Sequence, residues 1–244
     1  MKKTLTILFI ALVSGFTSCK KHNDNVQTFL APPVKIGDGQ ARTFIKMKGT
    51  QPQSIGILLD AAALKDLPSK DPEYSFMLKL HPQSQLLGFD HCEVDWNPNG
   101  HDPLFAYGVP HFDFHFYKIS EQEQAAVVPG PDTVTVPQQY IPQDYVSGGV
   151  AVPDMGTHWV DTTAPEFTGG KFTATFIYGF YHGKMTFLEP MITKAFLETK
   201  PDFVLPVKQP QEYQEHGYYP TTMHLTFDNK SQQYSIALEG LTYH

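Results

Sequence analysis

The chain has 244 residues, 41% of them apolar and 18% charged, with 20 Pro, 18 Gly and two Cys. That composition excludes disordered, collagen-like and disulfide-stapled chains and leaves room for one large domain or two small ones. The formal charge is −7 and no Lys/Arg cluster occurs, so no nucleic-acid partner is expected.

Residues 1–18 place Lys2 and Lys3 ahead of an apolar run, 5–13, and then the small residues Ser14, Gly15, Thr17 and Ser18. This is the order of a signal peptide, and the run is far shorter than the roughly 20 residues a membrane span needs. Cys19, directly after Thr17-Ser18, resembles the lipidated cysteine of a bacterial lipobox. The chain is therefore expected to be exported and held on a membrane through Cys19, facing the periplasm. Residues 19–27 read as the anchor and a polar tether, and 28–244 as a single β-rich domain. With Cys19 lipidated, Cys92 has no partner, so it is expected to be a buried small hydrophobe.

Strands are predicted over 41–48, 54–60, 74–80, 89–96 and 111–119, each rich in aromatic, β-branched or other apolar residues and bounded by turn formers. A short helix is predicted over 61–67, stopped by Pro68. Residues 121–156 carry Pro129, Pro131, Pro137, Pro142 and Pro153 and read as a long ordered loop or edge excursion with no helix. Residues 171–181 and 184–189 are expected to pair as a hairpin about His182-Gly183, followed by a helix over 190–198. A second hairpin joins 221–227 to 233–241. The expected fold is a single antiparallel β-sandwich or barrel-like domain, mainly β, with one or two short helices and long Pro/Gly loops.

The chemistry concentrates in His111-Phe112-Asp113-Phe114-His115-Phe116-Tyr117. Alternation along a strand puts His111, Asp113, His115 and Tyr117 on one face and the three Phe on the other. In a flat strand the Cα atoms of His111 and His115 are about 13 Å apart, too far for both rings to share one ion comfortably. Asp113 is then either a ligand beside one His or the acceptor that orients an imidazole. A zinc or iron site needs about four donors, so others must come from elsewhere. His158, at the end of the Pro/Gly excursion, and Glu189, set among aromatics, are the candidates. The two-residue turn would place Glu189 opposite Phe176, on the face of Tyr178, Phe180, Met185 and Phe187. His101 and Tyr117 are candidates for a surrounding role. His91, Glu93 and Asp95 share a face that reads as a wet strand surface. No Gly-x-Ser-x-Gly elbow, phosphate-binding loop, dinucleotide fingerprint or His-Glu-x-x-His helix is present.

The series Asp95-Trp96-Asn97-Pro98, Gly100-His101-Asp102-Pro103, Pro110 to Tyr117, Met155-Gly156-Thr157-His158-Trp159, Phe187-Leu188-Glu189-Pro190-Met191-Ile192-Thr193 and Gly217-Tyr218-Tyr219-Pro220 resembles an uncharacterised bacterial domain family of exported proteins and lipoproteins. The resemblance runs from about residue 50 to the end. It implies a β-rich domain and supplies no reaction.

Two functions follow as expectations. The first is a divalent-metal site, zinc or iron, built from His111, Asp113, His115, His158 and Glu189, with hydrolase, lyase or oxygenase chemistry. The second is a non-enzymatic module that grips a small molecule, or another copy in a homo-oligomer, with an aromatic-rich face.

Overall fold

The computed structural model describes residues 25–70 and 73–244. The leader and Cys19 lie outside the described residues. Two antiparallel sheets pack as a mainly β sandwich, not a closed barrel. The first runs Val26–Leu30, Gly39–Lys48, Gln51–Asp60, Gln233–Glu239, Thr222–Asp228 and Phe203–Pro206, with Val34–Ile36 also on Gly39–Lys48. The second runs Tyr74–Lys79, His91–Asn97, His111–Tyr117, Lys184–Thr193, Ala174–Tyr181, Gly156–Asp161, Tyr145–Val152 and Gly130–Pro131. Val26 already pairs with Lys48, so regular structure starts two residues before the predicted domain boundary.

Alternation decides what lies between the sheets. Phe112, Phe114 and Phe116, with Cys92, Val94, Trp96, Phe176, Tyr178, Phe180, Leu188 and Ile192, meet Ile45, Ile55, Ile57, Leu225, Ile236 and Leu238 in one continuous core. Burying each Phe contributes about 1.5–3 kcal/mol. Cys92 is buried and free, as expected, and burial pushes its thiol pKa well up. The opposite face of the second sheet carries a smaller apolar cluster of Ala106, Tyr107, Tyr117, Met155, Phe172, Ile177, Phe187 and Met191. Leu104–Tyr107, a one-turn helix, and the Pro165–Phe167 turn supply part of that cover.

Several predicted elements differ. The helix over 61–67 is a 3-10 turn, Ala61–Leu64, because Asp60 makes no side-chain cap and Lys65 is already extended. Within 121–156 there is a one-turn helix, Glu121–Gln124, held by a capping box in which Ser120 Oγ accepts from Glu123 N–H and the Glu123 carboxylate accepts from Ser120 N–H. The same stretch holds the strand Tyr145–Val152, whose composition is unlike a strand because most of it is exposed. The helix over 190–198 shrinks to Lys194–Glu198, capped by Thr193, and Lys184–Thr193 continues as strand through Pro190. Pro190 offers no N–H, and the ladder to His111–Tyr117 is interrupted there, between Leu188↔Phe116 and Met191↔Asp113.

Candidate metal centre

The hairpin turns at His182-Gly183 with both φ positive, 48° and 81°, as a two-residue primed turn requires. Tyr181 pairs with Lys184 as predicted, but a bulge between Gly179 and Phe180 slips the register by one, so Glu189 faces Ile177 and not Phe176. That slip turns Glu189 away from Tyr178 and Phe180, which enter the main core, and onto the outer face with Phe187 and Met191. The register on either side of Pro190 places it beside His115. On the other side of the hairpin, His158 pairs with Gly179 and so joins the same face. A Cβ at Gly179 would lie 2.2 Å from the Phe187 ring, and one at Gly156 would lie 2.7 Å from the Phe180 carbonyl oxygen, where φ is 118°. Two glycines thus let the His158 strand and the Phe187 ring close on the site.

Three strands therefore converge. Glu189 Oε2 lies 3.6 Å from His115 Nε2 and 3.6 Å from His158 Nε2. One donor atom from each of the three residues lies within 4.8 Å of the others. Phe187 packs edge-on against both rings, with centroids 4.7 Å from His115 and 5.0 Å from His158. Glu189 and His115 are fully buried, and neither Glu189 oxygen has a hydrogen-bond partner. Asp95 Oδ2, itself fully buried, lies 2.8 Å from His115 Nδ1 on the side away from Glu189. Burial, reinforced by neighbouring acids, pushes the carboxyls of Glu189 and Asp95 well above the ordinary range. Burial also lowers His115, and with the His115 and His101 charges it brings His158 down to about 3. Both imidazoles are thereby kept unprotonated, the form that ligates metal.

The five residues do not make one coordination sphere. His111 and Asp113 belong to a second group with His101: Asp113 Oδ1 is 3.2 Å from His111 Nε2, and Asp113 Oδ2 is 3.4 Å from His101 Nε2. The spacing along the strand explains the division, since neighbours on one face are about 6.6 Å apart. Asn97 donates to Asp113 Oδ2 at 2.7 Å. Burial opposes charge on His101, but the hydrogen bond to Asp113 and its negative charge outweigh it and hold the imidazole up to about 9. Against the same burial, the His111 and His101 charges hold Asp113 well below the usual carboxylate range.

Tyr117 is a wall and not a polar participant. It stacks on His91 and His115, and its hydroxyl donates to the Asp154 carbonyl at 3.2 Å. The predicted wet face of His91, Glu93 and Asp95 is buried, and Gln124 of the one-turn helix lies on His91 and Glu93. Asp95 and Glu73 are the site residues that the sequence did not reveal. Asp95 needed knowledge that His91–Asn97 lies beside the ridge strand, and Glu73 has no pattern around it. Glu73 lines a cavity of about 700 Å³ together with His101, Asp102, Pro103, Asp113, Val150, Val152, Met155, His158 and Val160. Burial, then the charges of Asp95 and Asp113, raise its carboxyl to about 7.

No protein-family model, curated protein or solved structure matches the chain.

Proposed function

We propose that the protein is an exported, lipid-anchored metalloenzyme facing the periplasm, and that it hydrolyses a small carbonyl or phosphoryl compound entering the cavity above His158. The observation that carries this reading is Glu189: a fully buried carboxyl with both oxygens unserved by any hydrogen-bond donor, faced by two imidazole nitrogens. An arrangement of acceptors around a carboxylate is costly unless a cation joins them. Two donors each about 2.05 Å from a zinc ion at the tetrahedral angle stand about 3.3 Å apart, within about 0.3 Å of both separations here. Two His and one carboxylate are the donor set of hydrolytic zinc and of oxygen-handling iron centres, with coordination positions left open. Such an ion polarises a substrate oxygen and acidifies water.

The protein's own groups have distinct tasks. Asp95 Oδ2 stands 2.8 Å from His115 Nδ1, without an aligned hydrogen bond, on the side of the ring opposite the Nε2 that faces Glu189. The Glu73 carboxyl, on the cavity wall and near neutrality, takes and returns a proton. Val150, Val152, Met155 and Val160 give the substrate an apolar berth.

Metal analysis of the purified protein tests the reading. Zinc or iron is expected at the Glu189 site, with that one equivalent lost in Glu189→Gln and in His158→Ala, and with hydrolysis of p-nitrophenyl acetate or bis(p-nitrophenyl) phosphate that stops in chelator and returns with metal. A metal-free protein whose melting is indifferent to chelator and to added zinc would overturn it.

A further inference from the structure

The second group on the ridge is built to the same rules with different atoms. His111 Nδ1 is 2.7 Å from the Val109 carbonyl, and His101 Nδ1 is 2.8 Å from the Asp102 carbonyl. A carbonyl can only accept, so each ring spends its Nδ1 proton there, and the neutral tautomer carries its lone pair on Nε2. Both Nε2 atoms point at the one carboxylate of Asp113; without an ion His101, held up to about 9, carries a proton there, and a bound ion would take that proton's place. His111 Nε2 and Asp113 Oδ1 are buried and without a hydrogen-bond partner, in residues that expose 0% and 2% of their surface. The Asn97 amide serves only Oδ2.

We infer that His101, His111 and Asp113 form a second divalent-cation site, distinct from the one at Glu189, selective for a borderline ion such as zinc. Three features carry it. The His–Asp separations of 3.2 and 3.4 Å match the edge of a tetrahedron around zinc, about 3.3 Å, better than the roughly 2.7–2.9 Å of a charge-assisted hydrogen bond. Imidazoles whose second nitrogen is fixed by a backbone carbonyl are the usual form of metal-ligating His. Finally, the open side of the group faces the cavity, through His101 and Asp113. The two sites share no donor, so they are neighbouring single-ion sites and not a bridged pair. His101 sits in the turn after Asn97, so the ion also ties the 98–110 connection to the ridge strand.

The experiment is a zinc titration of chelator-stripped protein, with bound zinc counted after gel filtration, beside anomalous scattering at the zinc edge from crystals. Two equivalents are expected for the wild type, and one each for His111→Ala and for His158→Ala. Asp113→Asn keeps the shape of the side chain and serves if His111→Ala fails to fold; it too should retain one equivalent. Two anomalous peaks are expected, one within ligand distance of His101, His111 and Asp113. A single peak at Glu189, or two equivalents retained by Asp113→Asn, would overturn the inference. A single peak at Asp113 would uphold it and sink the function proposed above.

Discussion

Replacing Glu189 by Met separates a metal ligand from a structural carboxyl, because the two roles give shifts of opposite sign. Met keeps the length of the side chain, and its surroundings, Ile177, Phe187 and Met191, are apolar and buried. In chelator the wild type carries a carboxyl with two unpartnered oxygens, a burden of about 1–3 kcal/mol that Met removes. A domain of this size shifts its melting point by about 2–4 °C per kcal/mol, so Glu189→Met should melt about 2–12 °C higher than wild type in EDTA. Zinc at a hundredfold excess over its Kd stabilises a protein that binds it by about 2.7 kcal/mol, or about 5–11 °C. The wild type should gain that increment from the Glu189 site and the variant should not, so the order of the two melting curves narrows or reverses on adding zinc. Scanning calorimetry of both proteins in both buffers is sufficient. A variant that melts below wild type in EDTA, and gains as much from zinc as wild type does, would refute the argument from unserved oxygens.

Other consequences are more local. Asp95→Asn, which leaves His115 with a weaker and differently polarised partner, should lower zinc affinity at the Glu189 site about 10–100-fold in a chelator competition, with little change in the melting of stripped protein. Gly179→Ala drives a methyl to within 2.2 Å of the Phe187 ring, which packs on both His115 and His158; a loss of about 1–3 kcal/mol in denaturant unfolding is expected, together with weaker zinc binding. Far from the site, His224 lies 3.0 Å from Asp202 and 3.3 Å from Glu239. Burial slightly opposes its charge, but the two acids win and raise its pKa. A raised His stabilises the fold fully below the unfolded value near 6.5, and the gain is lost as pH climbs through the folded value. His224→Gln should therefore cost a few tenths of a kcal/mol at pH 5.5 and nothing at pH 9, read by urea unfolding at the two pH values.

Local alternation was legible in the sequence; the partners across strands were not. The ridge 111–117 declares its two faces by period, and the three Phe do form the core. His158 and Glu189 were legible as polar groups in unlikely surroundings, and both reach the ridge. The bulge opposite Gly179, where Thr186 is the extra residue, was hidden, because nothing in Met185-Thr186-Phe187 distinguishes a bulged strand from a regular one. Its effect is a full exchange of faces, the consequence of a period of two. Pro190 misled for a related reason: a proline normally ends a central strand, and here the ladder skips it and resumes. Asp95 and Glu73 depend on contacts between segments distant in sequence, which no single-strand pattern encodes.

The strongest reason to place ions on this face comes from a contrast within it. Cross-strand pairs on His91–Asn97 and His111–Tyr117 bury His91, Glu93, Asp95, Asn97, His111, Asp113 and His115 on one surface. At one end the polar groups close on themselves: Gln124 Oε1 meets His91 Nε2 at 2.8 Å, Gln124 Nε2 donates to Glu93 at 2.8 Å, and Asp90 takes the other ring nitrogen at 2.9 Å. That end needs nothing from outside. Further along the same strands, under the same cover, Asp113 Oδ1, both oxygens of Glu189 and the Nε2 atoms of His111 and His115 find no partner. A fold able to satisfy Glu93 and His91 with a single glutamine could have done the same two residues away. Those atoms converge in threes beside a cavity, and a cation shared by His and carboxylate donors is one partner that would relieve the cost of leaving them bare.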